Sequence, residues 1–337
     1  MLVIDGSQGE GGGQILRTSL TMAMVTATDI RIENIRAGRN KPGLMRQHLA
    51  CVKAAQAVSG ATVSGADLGS TVITFKPKAI KAGEYQFAVG TAGSTMLIFQ
   101  TMLPALALAQ GESRLQFEGG THNSFAPSFD YIALAFMPLL KRMGVEVDMK
   151  MIRHGFYPQG GGQWQALIKS TARIGGLRLL DAGELLSKEA VVTSANIPAH
   201  VAKRELAEIA RQCQWPEQAL KADIVQSMGS GNIVSMRLYH EQCTEVIESI
   251  GKVGVSAEKV VKRAMPALRR YEAAAAPVGE HLADQLMLPM AIGEGGAFRT
   301  LKPSRHCETN KDVIHLFTDK RFTFKALGED LWEIQLS

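Results

Sequence analysis

The sequence of 337 residues predicts a mixed α/β fold of the α+β type: a large domain of three repeated units, each with two helices and a β-sheet, and a small inserted β-α-β-β-α domain. Three observations predict it. Glycine turns open a helical pattern at three places, and the same order of strand, helix and strand follows each of them. A segment that interrupts the third unit has its own strand and helix pattern. The chain is also long enough for two domains.

Each repeated unit is predicted to contain two helices and two strands in the same order. The helices show apolar residues three and four positions apart, as at Leu134, Met137 and Leu140, and the strands are short and rich in β-branched and aromatic residues. The predicted elements are 14–27, 30–35, 44–58 and 61–64 in the first unit, 95–109, 113–118, 129–143 and 145–150 in the second, and 281–292, 297–301, 311–317 and 322–326 in the third. Because each sheet needs cover on one face, we expect the helices of the three units to pack together.

Residues 181–276 are predicted to form the inserted domain, which leaves 1–180 and 277–337 for the three-repeat domain. The predicted elements are a strand at 191–196, a helix at 201–212, a hairpin of 223–226 and 232–239 around Gly229-Ser230-Gly231, and a helix at 257–273. The alternative is that this segment belongs to one continuous sheet with the rest of the chain.

Composition limits the class of protein. The net charge of +5 and the isoelectric point near 9.0 permit a polyanionic partner without requiring one, since no block of Lys and Arg is present. The four cysteines lack the spacing of a zinc site and are expected to be reduced thiols of a cytoplasmic or nuclear protein. No secretory signal is recognised, and Gly, Gln and Pro interrupt the apolar stretch 87–110 before it reaches the ~18 residues of a membrane span. We therefore expect a buried helix there, a cytoplasmic location and no membrane partner.

The loops that precede the second helices carry polar and cationic side chains. The side chains that approximate symmetry would gather around one cleft are Arg36, Arg39, Arg46, His48 and His306. Arginines beside helix N-termini suit phosphate binding, because guanidinium groups form bidentate contacts and the first helical N–H groups are free. The cleft is therefore predicted to bind an anion. For any one of these arginines considered alone, the alternative is a solvated surface residue.

Two glycine-rich runs stand out, Gly9-Glu10-Gly11-Gly12-Gly13-Gln14 and His154-Gly155-Phe156-Tyr157-Pro158-Gln159-Gly160-Gly161-Gly162. Their N–H groups are not covered by a Cβ, so a chain or an anionic ligand can approach closely. The setting of His122 and His154 favours a position near the cleft. Neither a P-loop nor a G-x-G-x-x-G dinucleotide fingerprint is present, so any nucleotide site must be of another kind.

These motifs resemble those of the RNA 3′-terminal phosphate cyclase family. The resemblance is carried by Asp5-Gly6-x-x-Gly9-Glu10-Gly11-Gly12-Gly13-Gln14-x-x-Arg17, Arg36-Ala37-Gly38-Arg39-x-Lys41-Pro42-Gly43-Leu44, the run from His154 to Gly162, Leu282-Ala283-Asp284-Gln285-Leu286 and Pro303-Ser304-x-His306. It extends from Leu2 nearly to the C-terminus and is weakest in the inserted segment. It implies the same three-repeat architecture and an ATP-dependent conversion of RNA 3′-phosphate ends to 2′,3′-cyclic phosphates.

The resemblance also implies residue roles. His306 would attack the α-phosphate of ATP to give a histidine-linked AMP, and AMP would pass to the RNA 3′-phosphate before the ribose 2′-OH closes the ring. Glu10 would hold Mg²⁺ or Mn²⁺. The implied ATP-binding residues are Gln100, Pro127, His281, Leu282, Ala283, Asp284 and Gln285, and the implied RNA- and phosphate-binding residues are Arg17, Arg36, Arg39, Gln47 and His48. His281 stands where the family often has an aromatic residue such as Tyr, and imidazole stacks on adenine more weakly.

Two other interpretations compete with this one. A non-catalytic relative that binds RNA or assists assembly would lack the nucleophilic histidine, so the presence of His306 argues against it. A carboxyvinyl transferase built from similar α/β units would need six units and a longer chain. The expected partners are therefore ATP and RNA with a 3′-phosphate end. A homodimer is compatible with the sequence, but no feature requires one.

Overall fold

Three of the four sheets in the computed structural model, which describes residues 1–337, have the same topology. The first unit consists of β1 (Leu2–Asp5), α1 (Gly13–Thr26), β2 (Ile30–Glu33), α2 (Arg46–Ser59), β3 (Thr62–Ser64) and β4 (Ile73–Lys76). The second consists of β5 (Glu84–Ala88), α3 (Thr95–Ala107), β6 (Ser113–Gly119), α4 (129–142), β7 (Val147–Arg153) and β8 (Gly162–Ile168). A π-helical turn, Ile132–Phe136, lies within α4.

The third unit begins with β9 (Leu177–Leu179) and is then interrupted by the inserted segment. The inserted elements are β10 (Leu185–Ala195), α5 (Ala199–Cys213), β11 (Leu220–Ile224), β12 (Gly231–His240), β13 (Thr244–Ile250) and α6 (Ala257–Ala274). The third unit then resumes with α7 (Glu280–Ile292), β14 (Gly296–Thr300), α8 (Arg305–His315), β15 (Phe322–Ala326) and β16 (Trp332–Leu336).

The strand orders are β1-β2-β4-β3, β5-β6-β8-β7 and β9-β14-β16-β15. In each sheet the first two strands are parallel and the other pairs are antiparallel. The predicted α+β class is confirmed. Each unit has four strands, two more than predicted. The strands that were not recognised are the first strand of each unit (β1, β5 and β9) and the strand that lies between the parallel pair and the last strand of the sheet (β4, β8 and β16).

The helices of the three units pack together, as the one-sided sheets require. Helix α1 contacts α2, α3, α7 and α8. Strand β6 shows the one-sided pattern: Leu115 and Phe117 are buried, whereas Arg114, Gln116 and Glu118 point to solvent. The resulting core of 61 buried residues draws on all three units. Helix α3 is almost entirely buried, as predicted for the apolar stretch, and no helix combines the length and apolarity needed to cross a bilayer.

The inserted segment forms its own sheet, in the order β11-β10-β12-β13, with a separate core of 15 buried residues under α5 and α6. The predicted hairpin of 223–226 and 232–239 is wrong. Strand β11 pairs with β10 in parallel, on the side away from β12, and the true hairpin is formed by β12 and β13. We propose that 181–276 is a domain and that 1–180 with 277–337 is the other; the separate sheet and core support these boundaries.

The run from His154 to Gly162 joins the second unit to the inserted sheet. It connects β7 to β8, and the His154 N–H donates to the Gln226 carbonyl at 3.1 Å. A Cβ on Gly155 would lie 2.3 Å from the Gly119 carbonyl oxygen and 2.5 Å from the Gly162 nitrogen. Only glycine allows the chains to approach this closely. The glycines of this run thus allow a neighbouring chain segment to pack closely against it. The run does not line the large cleft described below.

Candidate active site

One large cleft lies between the helices of the three units and the inserted sheet. Its volume is about 1430 Å³, whereas pockets for a single small molecule measure ~300–1,000 Å³. The residues that line it come from every repeated unit and from β13 and α6 of the insert. The cleft therefore has room for more than one ligand.

Twelve of the fourteen residues implied by the resemblance line this cleft: Glu10, Arg17, Arg36, Arg39, Gln47, His48, Gln100, Pro127, His281, Asp284, Gln285 and His306. Arg46 lines it as well, so the five side chains that symmetry was expected to gather do meet there. The exceptions are Leu282 and Ala283. Leu282 and Ala283 are 0% and 1% exposed, and their side chains belong to the hydrophobic core on which α7 packs.

Most of these side chains project from the first two turns of a helix. Arg17 lies on α1, His48 on α2, Gln100 on α3, Asp284 on α7 and His306 on α8. Because the units share one topology, the N-terminal ends of their helices are directed to the same cleft. Free N–H groups and the positive end of the helix dipole favour anions there.

His306 lies in the first turn of α8, where Ser304 is the N-cap and accepts a hydrogen bond from the Cys307 N–H. The His306 Nδ1 is hydrogen-bonded to the Gln14 side-chain oxygen. The Gln14 Nε2 donates to the Asp284 Oδ2 at 3.0 Å, which directs the Gln14 oxygen toward the imidazole. An amide oxygen accepts only, so Nδ1 carries the proton and Nε2 keeps its lone pair. Burial lowers the pKa of His306, opposed by the Glu10 charge.

Asp284 anchors the other end of this chain of hydrogen bonds. Removal from water raises its pKa to about 7, against the effect of the Gln14 hydrogen bond and the Arg17 charge. Its main-chain carbonyl accepts from the Asn310 side chain at 2.8 Å, and the Asn310 oxygen accepts from the Thr18 hydroxyl at 2.7 Å. Helices α1, α7 and α8 are therefore cross-linked directly beneath the imidazole.

His48 lies beside the N-terminus of α1. Its Nδ1 accepts from the Met45 N–H at 3.1 Å, which leaves the proton on Nε2. Burial, followed by the charges of Arg17 and Arg36, lowers its pKa to about 3, so the ring is neutral. A Cβ on Gly13 would lie 2.5 Å from the His48 Nε2 and 2.6 Å from the Arg17 Nη1. Glycine at this position lets both side chains reach the end of the helix.

The three implied phosphate-binding arginines differ in how far their guanidinium groups are already hydrogen-bonded within the protein. Arg36 donates to the carbonyls of Lys41 at 2.6 Å and Gly43 at 3.0 Å, and Arg39 donates to the Glu10 carboxylate at 2.6 Å. Arg17 has neither an ion pair nor a hydrogen-bond acceptor in the structure and is half-buried. Of these three arginines, Arg17 is therefore the one most free to bind a ligand phosphate.

A chain of amides connects α3 to α7 on another side of the cleft. The Gln100 Nε2 donates to the Gln285 oxygen at 2.7 Å, and the Gln285 Nε2 donates to the His281 carbonyl at 2.7 Å. Pro127 and the exposed His281 present flat apolar or aromatic surfaces to the cleft. Such surfaces with a few oriented amides suit a planar heterocycle.

The residues that could hold a metal are few. Glu10 supplies one carboxylate, and no group of three or more His, Cys, Asp or Glu side chains is clustered to bind an ion. Mg²⁺ commonly takes one or two carboxylates and completes its shell with phosphate oxygens and water. The residues present therefore fit a divalent cation only if a bound nucleotide contributes ligands.

The cleft is positively charged near pH 7. Seven of its lining side chains are Arg or Lys and five are Asp or Glu. Burial raises the pKa of Glu245 to about 8 and the pKa of Glu248 and Asp284 to about 7 each, so these three acids are partly neutral. Cations therefore dominate, which suits polyanionic ligands.

Sequence reasoning missed several residues of the site. Gln14 was quoted within a motif but given no role, and Asn310 and Glu245 were not singled out. Gln14 lies one turn from Glu10, and that spacing is the signal that could have identified it. His122 and His154, for which the sequence favoured a position near the cleft, do not line it. Their rings stack at 5.1 Å in the joint between the second unit and the insert, outside the cleft lining.

Comparison with known proteins shows the family to which the chain belongs. The family model described as RNA 3′-terminal phosphate cyclase matches residues 8–324. A protein of that name from Koribacter versatilis is 47% identical over 323 residues, covering 96% of this chain and 91% of the relative. One from Salmonella typhimurium is 45% identical, covering 97% and 96%. The EPSP synthase of Acinetobacter baumannii matches with 10% identity and a TM-score of 0.24 over 52% of this chain and 49% of that one, which is too low to indicate a shared fold.

Proposed function

The chain belongs to the RNA 3′-terminal phosphate cyclase family, and from that membership we propose that it uses ATP to convert RNA 3′-phosphate ends to 2′,3′-cyclic phosphates. The observation that carries the mechanism is the state of His306. Its imidazole opens to the cleft, its pKa is lowered by burial, and Gln14 holds the proton on Nδ1. A neutral imidazole with a free Nε2 lone pair is a nucleophile at pH 7.

In the first step the His306 Nε2 attacks the α-phosphorus of ATP. A P–N bond forms, the P–O bond to the β-phosphate breaks, and pyrophosphate leaves with its electron pair. The imidazole then carries a positive charge, and Gln14 accepts from its Nδ1–H throughout. The N-terminus of α8 and the unpaired Arg17 are placed to stabilise negative charge on the phosphate oxygens.

The adenosine would lie between Pro127 and His281, with its polar edge toward the Gln100 and Gln285 amides. Glu10 would be the protein ligand of a Mg²⁺ or Mn²⁺ ion shared with the phosphates, and such an ion would supply electrostatic stabilisation of their charge. Glu10 would then have to exchange its ion pair with Arg39 for the metal.

In the second step a terminal RNA phosphate oxygen attacks the AMP phosphorus, the P–N bond breaks and the neutral imidazole is restored. In the third step the ribose 2′-OH attacks the RNA 3′-phosphorus, loses its proton to solvent, and expels AMP. The 2′-OH is held beside its target by the sugar itself, so proximity supplies much of this step. The cations of the cleft, Arg17, Arg36, Arg39 and Arg46, would hold the RNA end.

The test is cyclisation of an RNA 3′-phosphate in the presence of ATP and Mg²⁺ or Mn²⁺. Wild type should form the cyclic end and release AMP and pyrophosphate in equal amounts, and His306→Ala should form none. His200→Ala is the matched control, because His200 is exposed and lies outside the cleft. Binding of RNA by wild type without any cyclisation would favour the non-catalytic relative instead.

A further inference from the structure

Phe125 lies in the loop between β6 and α4 and belongs to no hydrophobic cluster of the protein. It is 100% exposed and lines the cleft. Its φ angle is +66°, a left-handed conformation that a bulky residue rarely adopts. An exposed aromatic ring on a strained backbone has two unfavourable features that no apolar packing offsets. Such positions point to a role in binding a ligand.

The loop around Phe125 is nevertheless held firmly in place. On one side, the Asn123 side chain donates to the Ala92 carbonyl. On the other, Ser128 caps α4 by accepting from the Tyr131 N–H at 2.9 Å, and its hydroxyl donates to Glu248 at 2.6 Å. The ring is therefore presented to the cleft by anchored backbone, and a ligand that stacks on it need not order the loop first.

One cationic side chain of the inserted segment faces this ring, and a second lines the same cleft. The Lys252 ammonium lies 6.0 Å from the ring centroid. Arg263, on α6, lines the same cleft, is exposed and has no ion pair. An aromatic face beside unpaired cations is the combination that binds single-stranded nucleic acid, because the base stacks while the backbone phosphate is neutralised.

We propose that Phe125 is a stacking platform for a nucleobase of the RNA strand, and that Lys252 binds a phosphate of the same strand. This subsite would bind RNA upstream of the reacting end, between the second unit and the insert, and it rests on the proposed function. The adenine of ATP is the less suitable occupant, because Pro127 and His281, with the Gln100 and Gln285 amides, already offer it a site.

The test is a fluorescence titration with single-stranded RNA that ends in a 3′-phosphate and carries 2-aminopurine one to three nucleotides upstream of it. Stacking on wild type should quench the fluorophore at one of these positions. Phe125→Leu, which keeps an apolar side chain but has no π face, should lose the quenching and bind RNA about ten-fold more weakly. Phe125→Trp should retain both, and Leu186→Ala is the control for an exposed apolar residue outside the cleft.

A second measurement, enzyme–AMP formation without RNA, separates this inference from the proposed function. Equal quenching and affinity in wild type and Phe125→Leu would overturn the subsite, whether or not cyclisation occurs. A Phe125→Leu variant whose apparent affinity for ATP falls while its RNA affinity stays constant would assign the ring to adenine and also overturn it. Phe125-dependent quenching in a protein that forms no enzyme–AMP would support the subsite and refute the cyclase mechanism.

Discussion

At the scale of single residues, the Asp284–Gln14–His306 chain of hydrogen bonds fixes which imidazole nitrogen can react. The Gln14 amide is oriented by its donation to Asp284, and its oxygen in turn holds the His306 proton on Nδ1. The same arrangement places a carboxyl group two hydrogen bonds away from the imidazole. In the proposed mechanism Gln14 is therefore a positioning residue, since it would act through His306.

Replacing Gln14 should slow the first chemical step without preventing ATP binding. Gln14→Ala leaves the imidazole free to rotate and to exchange tautomers, so we expect enzyme–AMP formation to slow about ten-fold, the equivalent of one lost hydrogen bond. Single-turnover kinetics with labelled ATP measure this rate constant. A rate equal to that of wild type would show that Gln14 does not orient the imidazole.

The pH dependence of enzyme–AMP formation follows from the lowered pKa of His306. The neutral imidazole is the reactive form, and burial extends its range to lower pH. The rate constant should therefore be level from about pH 8 down to the ordinary histidine pKa of about 6.5 and should fall only below it. A fall that begins above pH 6.5 would mean that the nucleophile has a raised pKa.

The sequence predicted that the motifs would lie at the cleft, but it did not predict which side chains within a helical motif point into it. The motif Leu282-Ala283-Asp284-Gln285 was assigned to one site as a block. In a helix, successive residues point about 100° apart, so a block of adjacent residues cannot all face one site: His281, Asp284 and Gln285 line the cleft, whereas Leu282 and Ala283 enter the core. Phe125 carried no sequence signal, because an exposed aromatic is recognised only when its surroundings are known.

At the scale of elements, β13 brings the insert into the cleft and joins it to α7. The Gly279 N–H, at the N-terminus of α7, donates to the buried Glu245 carboxylate at 3.2 Å. A Cβ on Gly279 would lie 2.1 Å from the same carboxylate, so glycine permits this contact. Arg270 of α6 adds ion pairs to Glu280 at 2.8 Å and to Asp330 at 2.7 Å.

Glu245 should make the fold less stable at high pH. Its pKa is raised by burial from 4.5 to about 8, so the folded state takes up a proton that the unfolded state has lost. The contribution of Glu245 to the free energy of unfolding is fully present below about pH 4.5 and is lost as the pH rises through 8. Glu245→Gln should therefore reduce the fall in melting temperature between pH 6 and pH 9. Glu217→Gln, at an exposed site, is the control.

The pKa values of Glu248 and Asp284 are also raised, to about 7 each. These two groups contribute equally to the pH dependence of melting in wild type and in Glu245→Gln, so the difference between the two proteins reports on Glu245. Equal pH dependence in the two proteins would show that the Glu245 carboxyl is not protonated in the folded state at neutral pH.

The helices and the order of the units were predictable from periodicity and glycine turns, but several strands were not. Strands β1, β5 and β9 contain only three to five residues, which is too short for an alternating pattern to distinguish them from loops. The hairpin of 223–226 and 232–239 failed for a different reason. A glycine-rich turn between two β-like segments is compatible with pairing of those segments as neighbouring strands. In the sheet, however, β10 lies between β11 and β12.

At the scale of the whole molecule, the site follows from repetition. Three units with one topology direct the N-termini of their helices to a common cleft, and the insert in the third unit closes one side of it. No single unit holds the site: Glu10 and Arg17 come from the first, Gln100 from the second, and His306 from the third. A symmetry argument from the sequence could predict this meeting point, but not the wall supplied by β13 and α6.

The charge of the cleft predicts strong salt dependence of RNA binding. If four phosphates are neutralised, raising the salt concentration from about 50 to about 150 mM should weaken binding of single-stranded RNA about twenty-fold. Arg46→Ala should reduce the slope of log affinity against log salt by about 0.7, the value for one contact. Arg173→Ala, at an exposed position outside the cleft, should leave the slope unchanged. A slope near zero for wild type would contradict a cationic RNA site.

The most direct test of the account is to locate the AMP on the protein. After incubation with ATP and a divalent metal and no RNA, peptide mapping by mass spectrometry under alkaline conditions would identify the modified residue. We expect AMP on His306 alone, and none on His48 or His281, which line the same cleft. AMP on another residue, or no protein-bound AMP while RNA ends are still cyclised, would contradict the claim that His306 is the nucleophile.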